Sequence, residues 1–353
     1  MFPRRIFLGI TAFALAATPA MTARAGQRHR AFVGSYTNSD PAGHGLDVVK
    51  AGKPGLDADF TVPGVPDASW FARRGNVLYV TNESDPGSVT ALDISGKPRI
   101  LGTQPALGAA PTHLSVHPSG RYLLTANYTS GSVVVHPILP GGGLGAATDL
   151  VEHGDGAHAH QVVTDPSGRW VLAVDLGTDS VYVYQLTNGK LRPHQQLVLP
   201  AGSGPRHLAF HPHERLAYLA CELTPVVTVL GWDPAGGTVT AEQVVDTASS
   251  PGPNYPGEIE VSADGRFVYV SVRGENTIAT FAVRGRELVR LGENMPSGGV
   301  WPRHFTLDAG QRWMYVSNQR SGTVNWLPRD PTTGRLGAAA GSLAVPSVAT
   351  VLL

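Results

Sequence analysis

Two arginines, two glutamates and a histidine have the side chains needed to handle a small carbonyl compound: Arg206 with Glu222, Arg273 with Glu258, and His160. A guanidinium holds an anion or the charge growing on an oxygen, while a carboxylate or imidazole moves a proton. His113, Asn127 and Asn318 stand at positions that recur along the chain, and recurrence points to architecture, because buried polar residues must satisfy backbone groups. The charged residues interrupt that recurrence, which makes them the functional candidates. A metal is the competing chemistry. His158 and His160 are two apart, hence on one face of a strand, with His153 nearby. No cysteine joins them and carboxylates would have to come from elsewhere, so neither a metal nor another cofactor is expected. The sequence contains no Gly-x-Ser-x-Gly elbow, P-loop or dinucleotide fingerprint.

These residues are positioned by a repeat. Six stretches share one layout, beginning near Ala68-Ser69-Trp70, Thr112-His113-Leu114, His160-Gln161-Val162, Arg206-His207-Leu208, Glu258-Ile259-Glu260 and Arg303-His304-Phe305. Each continues into a turn, such as Gly120-Arg121, Gly168-Arg169 or Gly265-Arg266, followed by further β-rich runs. The spacing, roughly 45 to 51 residues, is that of a four-stranded propeller blade. Ala31–Tyr36 and Val345–Leu352 each read as a strand without a unit of its own. Paired in one composite blade they remove both exposed edges, which predicts an all-β, seven-bladed β-propeller. In an antiparallel hairpin the start of one strand lies beside the end of the next. Trp70 is therefore expected near Asn82 and Glu83, His113 near Asn127, His160 near Asp175, Arg206 and His207 near Glu222, Glu258 near Arg273, and Arg303 and His304 near Asn318. All would line one mouth of a central channel, a concave polar centre suited to an active site.

Bulk composition narrows the partners. Lys plus Arg equals Asp plus Glu at 27 each, so no net field would hold nucleic acid. The 42 Gly and 28 Pro fit a turn-rich chain, and the lone Cys221 rules out an internal disulfide. Arg4-Arg5, an apolar run from Ile10 to Ala17 and Ala23-Arg24-Ala25 read in order as an export signal, of twin-arginine type. Residues 1–25 are thus expected to be removed, leaving 26–353 as one propeller domain. The expected product is a monomer without a membrane segment, placed in the periplasm, the cell envelope or the medium.

The chain resembles the β-propeller lactonases, which include cycloisomerase-type 6-phosphogluconolactonases and the fungal carboxymuconate lactonizing enzyme. The resemblance rests on Pro111-Thr112-His113 with Ala126-Asn127-Tyr128, and on His158-Ala159-His160 with Val174-Asp175-Leu176-Gly177. Gly204-Pro205-Arg206-His207-Leu208 with Cys221-Glu222-Leu223 and Trp301-Pro302-Arg303-His304-Phe305 carry it further. It implies metal-free hydrolysis or formation of a lactone, with His160, Arg206, Glu222 and Arg273 as catalytic residues. The arginines would bind substrate and its carbonyl oxygen, and Glu222 or His160 would activate water. His113, Asp175, His207, Glu258, Arg303 and His304 are expected to bind substrate. Cys221-Glu222 and Val272-Arg273 depart from the Asn-Glu and Asn-Arg pairs of the family. A 6-phosphogluconolactonase-like hydrolase is the leading expectation. A muconate-type cycloisomerase and a non-catalytic binding propeller are the alternatives.

Overall fold

Alternating apolar and polar residues, cut every five to nine positions by glycine and proline turns, dictate short strands rather than helices. The computed structural model describes residues 29–353 apart from Lys53, and every regular element among them is a strand. The export reading of residues 1–25 lies outside the described residues. Among the described residues no helix is long and apolar enough to cross a membrane.

The strands form seven antiparallel sheets. Six are sequential hairpin stacks whose innermost strands are Ala68–Arg74, Pro111–Val116, Ala159–Thr164, Pro205–Phe210, Tyr255–Val261 and Pro302–Leu307. The seventh joins the chain ends as expected: Val348–Leu352 is its inner strand and pairs with His29–Ser35, which leads outward to Leu46–Gly52 and Gly55–Val62. Each inner strand packs on the next, and the last returns to the first, so the ring is closed.

Burial grades outward from the channel. The second strands, such as Trp170–Asp175 and Leu216–Cys221, are buried on both faces because a blade lies on either side. Outer strands such as Lys190–Val198 alternate with solvent. The core is therefore a set of layers between blades: Leu172, Val174 and Val183 of one pack on Leu208, Leu219 and Leu230 of the next. The rim turns are tied by a carboxylate; Asp165 accepts the N–H groups of Ser167, Arg169 and Trp170 at 3.2, 3.0 and 2.9 Å.

Candidate active site

Every inner strand is interrupted at one place. The register slips between Ala68 and Phe71, Pro111 and His113, Ala159 and Gln161, Pro205 and His207, Pro256 and Ile259, and Pro302 and His304. The closing strand slips at Ala349. A bulge re-aims side chains and frees two successive residues from strict alternation. Consecutive residues of each inner strand therefore both serve the channel. One ring, nearer the mouth, holds Thr112, His160, Arg206 and Arg303, and the ring beneath it holds Trp70, His113, His207, Glu258 and His304.

Charge gathers in the upper ring. Glu222, on the loop after Leu216–Cys221, lies 3.1 Å from Arg206 Nε and 2.7 Å from Arg273 Nη2 through the same oxygen, Oε2. Arg206 Nη1 donates to the Gly257 carbonyl at 2.6 Å, and Arg273 donates to the carbonyls of Tyr255 and Pro256. The Arg206 Nε–H is close to Glu222 but not aligned on it, so this buried donor has no hydrogen-bond partner. Burial pushes the Glu222 carboxyl up, but Arg273 and Arg206 outweigh it and hold the group below its ordinary value. Burial, then Arg273, pushes Arg206 down to about 9, still charged at neutral pH. Across the channel Arg303 Nη2 reaches Glu83 at 3.5 Å, and Tyr36 donates to the same Glu83 oxygen at 2.8 Å.

Beneath lies a histidine cluster. Trp70 packs on His113, His207 and His304 with centroids 4.5, 5.2 and 5.1 Å apart, and His160 meets His207 at 4.9 Å. Burial is the first cause that keeps His113, His160, His207 and His304 below the ordinary imidazole range, down to about 4 for His304. These rings are neutral at pH 7. The cluster's carboxylate is Glu258, 3.1 Å from His207 Nδ1 and 3.8 Å from His304 Nε2, and burial raises it. A cavity of about 10 Å³, room for one water, opens between the rings. His160, Arg206, His207, Arg303 and His304 help to line it.

Of the expected hairpin neighbours, Arg206 and Glu222 meet, but Glu258 and Arg273 do not. Glu258 turns to the histidines and Arg273 reaches back to the preceding blade's Glu222, because the bulge rotates Glu258 out of register with its own hairpin. Asp175 is fully buried inside its blade, where it binds His153 Nδ1 at 2.6 Å and accepts the N–H groups of His158 and Thr178, contacts that brace the blade. The three histidines weighed as a metal set diverge: His153 goes to Asp175 and Tyr184, His158 to the Tyr128 carbonyl, and His160 to the channel. Among the described residues no three His, Cys, Asp or Glu converge on a metal position. Sequence reasoning placed Glu83 at the mouth beside Trp70 without giving it a role, and it missed Tyr36. The signal was present, since Tyr36, Glu83 and Glu222 each directly follow the second strand of a hairpin or its counterpart in the composite blade.

Comparison with known proteins agrees with this fold. A family model described as "Lactonase, 7-bladed beta-propeller" matches residues 30–353. A 6-phosphogluconolactonase of Bacillus subtilis is 34% identical over 337 residues, covering 89% of this chain and 95% of that protein. A 6-phosphogluconolactonase of Pectobacterium carotovorum is 31% identical, covering 78% and 84%. Among solved structures, a periplasmic gluconolactonase of Pseudomonas aeruginosa superposes with a TM-score of 0.85 at 30% identity, covering 91% of this chain and 98% of that one.

Proposed function

We propose that this chain, which belongs to the seven-bladed β-propeller lactonase family, is an exported, metal-independent hydrolase of sugar-type lactones. The observation that carries the reading is the single carboxylate, Glu222, held between Arg206 and Arg273 at the channel mouth.

That arrangement assigns roles. A carboxylate whose Oε2 is shared by two guanidinium groups is a good anchor for both. Glu222 orients the arginines, and Arg303 supplies a donor for the lactone carbonyl oxygen. Water is activated by a neutral imidazole of the cluster below. Ring opening adds water across the ester bond and gives the open hydroxy acid. Export is supported by Arg4-Arg5, the apolar run after it and Ala23-Arg24-Ala25, and it agrees with the periplasmic description of the Pseudomonas relative.

A lactone panel tests the reading, with 6-phosphogluconolactone and unphosphorylated sugar lactones, the mature protein, and EDTA present or absent. Turnover that survives EDTA is expected. EDTA-sensitive turnover contradicts metal independence, product formed only from an acyclic diacid favours the cycloisomerase, and no turnover at all favours a binding propeller.

A further inference from the structure

Three buried polar atoms of residues that line the small cavity below the mouth make no hydrogen bond: His160 Nδ1, His207 Nε2 and Arg206 Nε, the last facing Glu222 Oε2 at 3.1 Å without alignment. Their residues are 5%, 1% and 2% exposed. A buried polar atom without a hydrogen bond is costly, so three around one cavity call for an occupant.

The proton on His207 decides what that occupant does. The histidines at equivalent positions in two other blades, His113 and His304, accept backbone N–H groups at Nδ1, from Val162 and Val351, each at 3.4 Å. An accepting nitrogen carries no proton, so both rings are protonated at Nε2. In the blade next to His207 the corresponding N–H, that of Ile259, is taken by Glu258 Oε1 at 3.0 Å. The same oxygen lies 3.1 Å from His207 Nδ1. Glu258 thus replaces a donor with an acceptor, places the proton on Nδ1 and leaves Nε2 as a bare lone pair at the cavity.

We propose that the cavity seats the hydrolytic water, that His207 is the general base acting on it, and that Glu258 is the positioning residue which fixes the His207 tautomer. This rests on the lactonase reading above. The water accepts from Arg206 Nε–H and donates to His207 Nε2 and His160 Nδ1, a set of partners normal for an ordered buried water. As its oxygen bonds to the lactone carbonyl carbon, one O–H bond breaks and the proton passes to His207 Nε2. Collapse of the tetrahedral intermediate breaks the ring C–O bond. The imidazolium returns the proton to the departing alkoxide, giving the hydroxy acid and regenerating neutral His207.

The experiment compares the mature wild-type protein with Glu258→Gln in three readouts. A crystal structure of the wild type should show a solvent oxygen within hydrogen-bond reach of Arg206 Nε and His207 Nε2. The ¹⁵N shifts of the His207 ring should report protonation at Nδ1 in the wild type and a mixed or reversed tautomer in the variant. On a lactone that the wild type opens, kcat should fall about 10²-fold in the variant with KM nearly unchanged. An empty cavity, a wild-type His207 protonated at Nε2, or an unaltered kcat overturns the proposal. Wild-type protein inert on every lactone overturns the hydrolase reading and the base role with it, while crystal and spectra still decide the water seat and the tautomer.

Discussion

Arg273 Nη2 lies 2.7 Å from Glu222 Oε2, so the carboxylate on one blade's loop holds the arginine of the next. Removing its charge leaves two buried guanidinium groups without a counter-ion. Glu222→Gln should cost about 1.5–3 kcal/mol of stability, the worth of hydrogen bonds to charged groups, and lower kcat about 10²-fold or more. Thermal unfolding and steady-state kinetics on one preparation separate the two effects. A variant with unchanged Tm and kcat would show that the pair is ornamental.

Asp175→Asn should behave differently. Oδ1 accepts two backbone N–H groups inside the blade and Oδ2 faces His153 Nδ1; an amide keeps the first two bonds but turns its Nδ2 on His153, which must give up the charge-assisted bond and change tautomer. A loss of about 1–3 kcal/mol is expected in urea unfolding, with KM and kcat for a lactone substrate within twofold of wild type at a temperature where the variant stays folded. A raised KM with intact stability would place Asp175 at the substrate site.

Acid should weaken the fold early. Four imidazoles, His113, His160, His207 and His304, sit below their ordinary value of 6.5, so the unfolded chain binds more protons than the folded one in that window. Their contribution is fully present above 6.5 and is lost as pH falls toward the folded values, about 4 for His304. Glu258 and Glu260, raised by burial and for Glu260 to about 8, act in the opposite sense as pH rises above 4.5. They are outnumbered by the histidines. Near and below 4, the lowered Asp175 and Glu222 add to the loss, because their stabilisation disappears as pH falls through their folded values. The urea midpoint should therefore fall between pH 6.5 and 5, with a shallower slope in His304→Gln. A flat midpoint over that range would mean that the cluster takes up protons while folded.

Ring closure should be indispensable. Val348–Leu352 buries four of its five residues as the inner strand of the composite blade. At about 1.5–3 kcal/mol for each large apolar side chain, its loss removes much of a typical 5–15 kcal/mol of stability and exposes the edge of His29–Ser35. Mature protein ending at residue 346 should aggregate or unfold non-cooperatively by circular dichroism. Cooperative melting near the full-length Tm would contradict closure by this strand.

The ring was legible because its signals are local: repeat length, glycine turns, and two partnerless terminal strands. The Arg206–Glu222 contact was legible too, since a hairpin brings both residues to the same end. Other contacts needed the third dimension. Glu258 reaches His207 and His304 in neighbouring blades, and Arg303 meets Glu83, 220 positions away. Hairpin reasoning within one blade cannot find these. Asp175 shows the converse case. It sits at a mouth position by sequence, yet a second-strand residue ahead of a tight loop turns inward to brace that loop.

The most direct test follows ring opening of gluconolactone and 6-phosphogluconolactone by the mature protein beside its Glu222→Gln variant, each corrected for spontaneous hydrolysis, in EDTA. Wild-type turnover well above background on at least one lactone, lost about 10²-fold in the folded variant, is the predicted result. Equal rates in the two proteins, or background rates in both, would contradict catalysis at the Arg206–Glu222–Arg273 mouth.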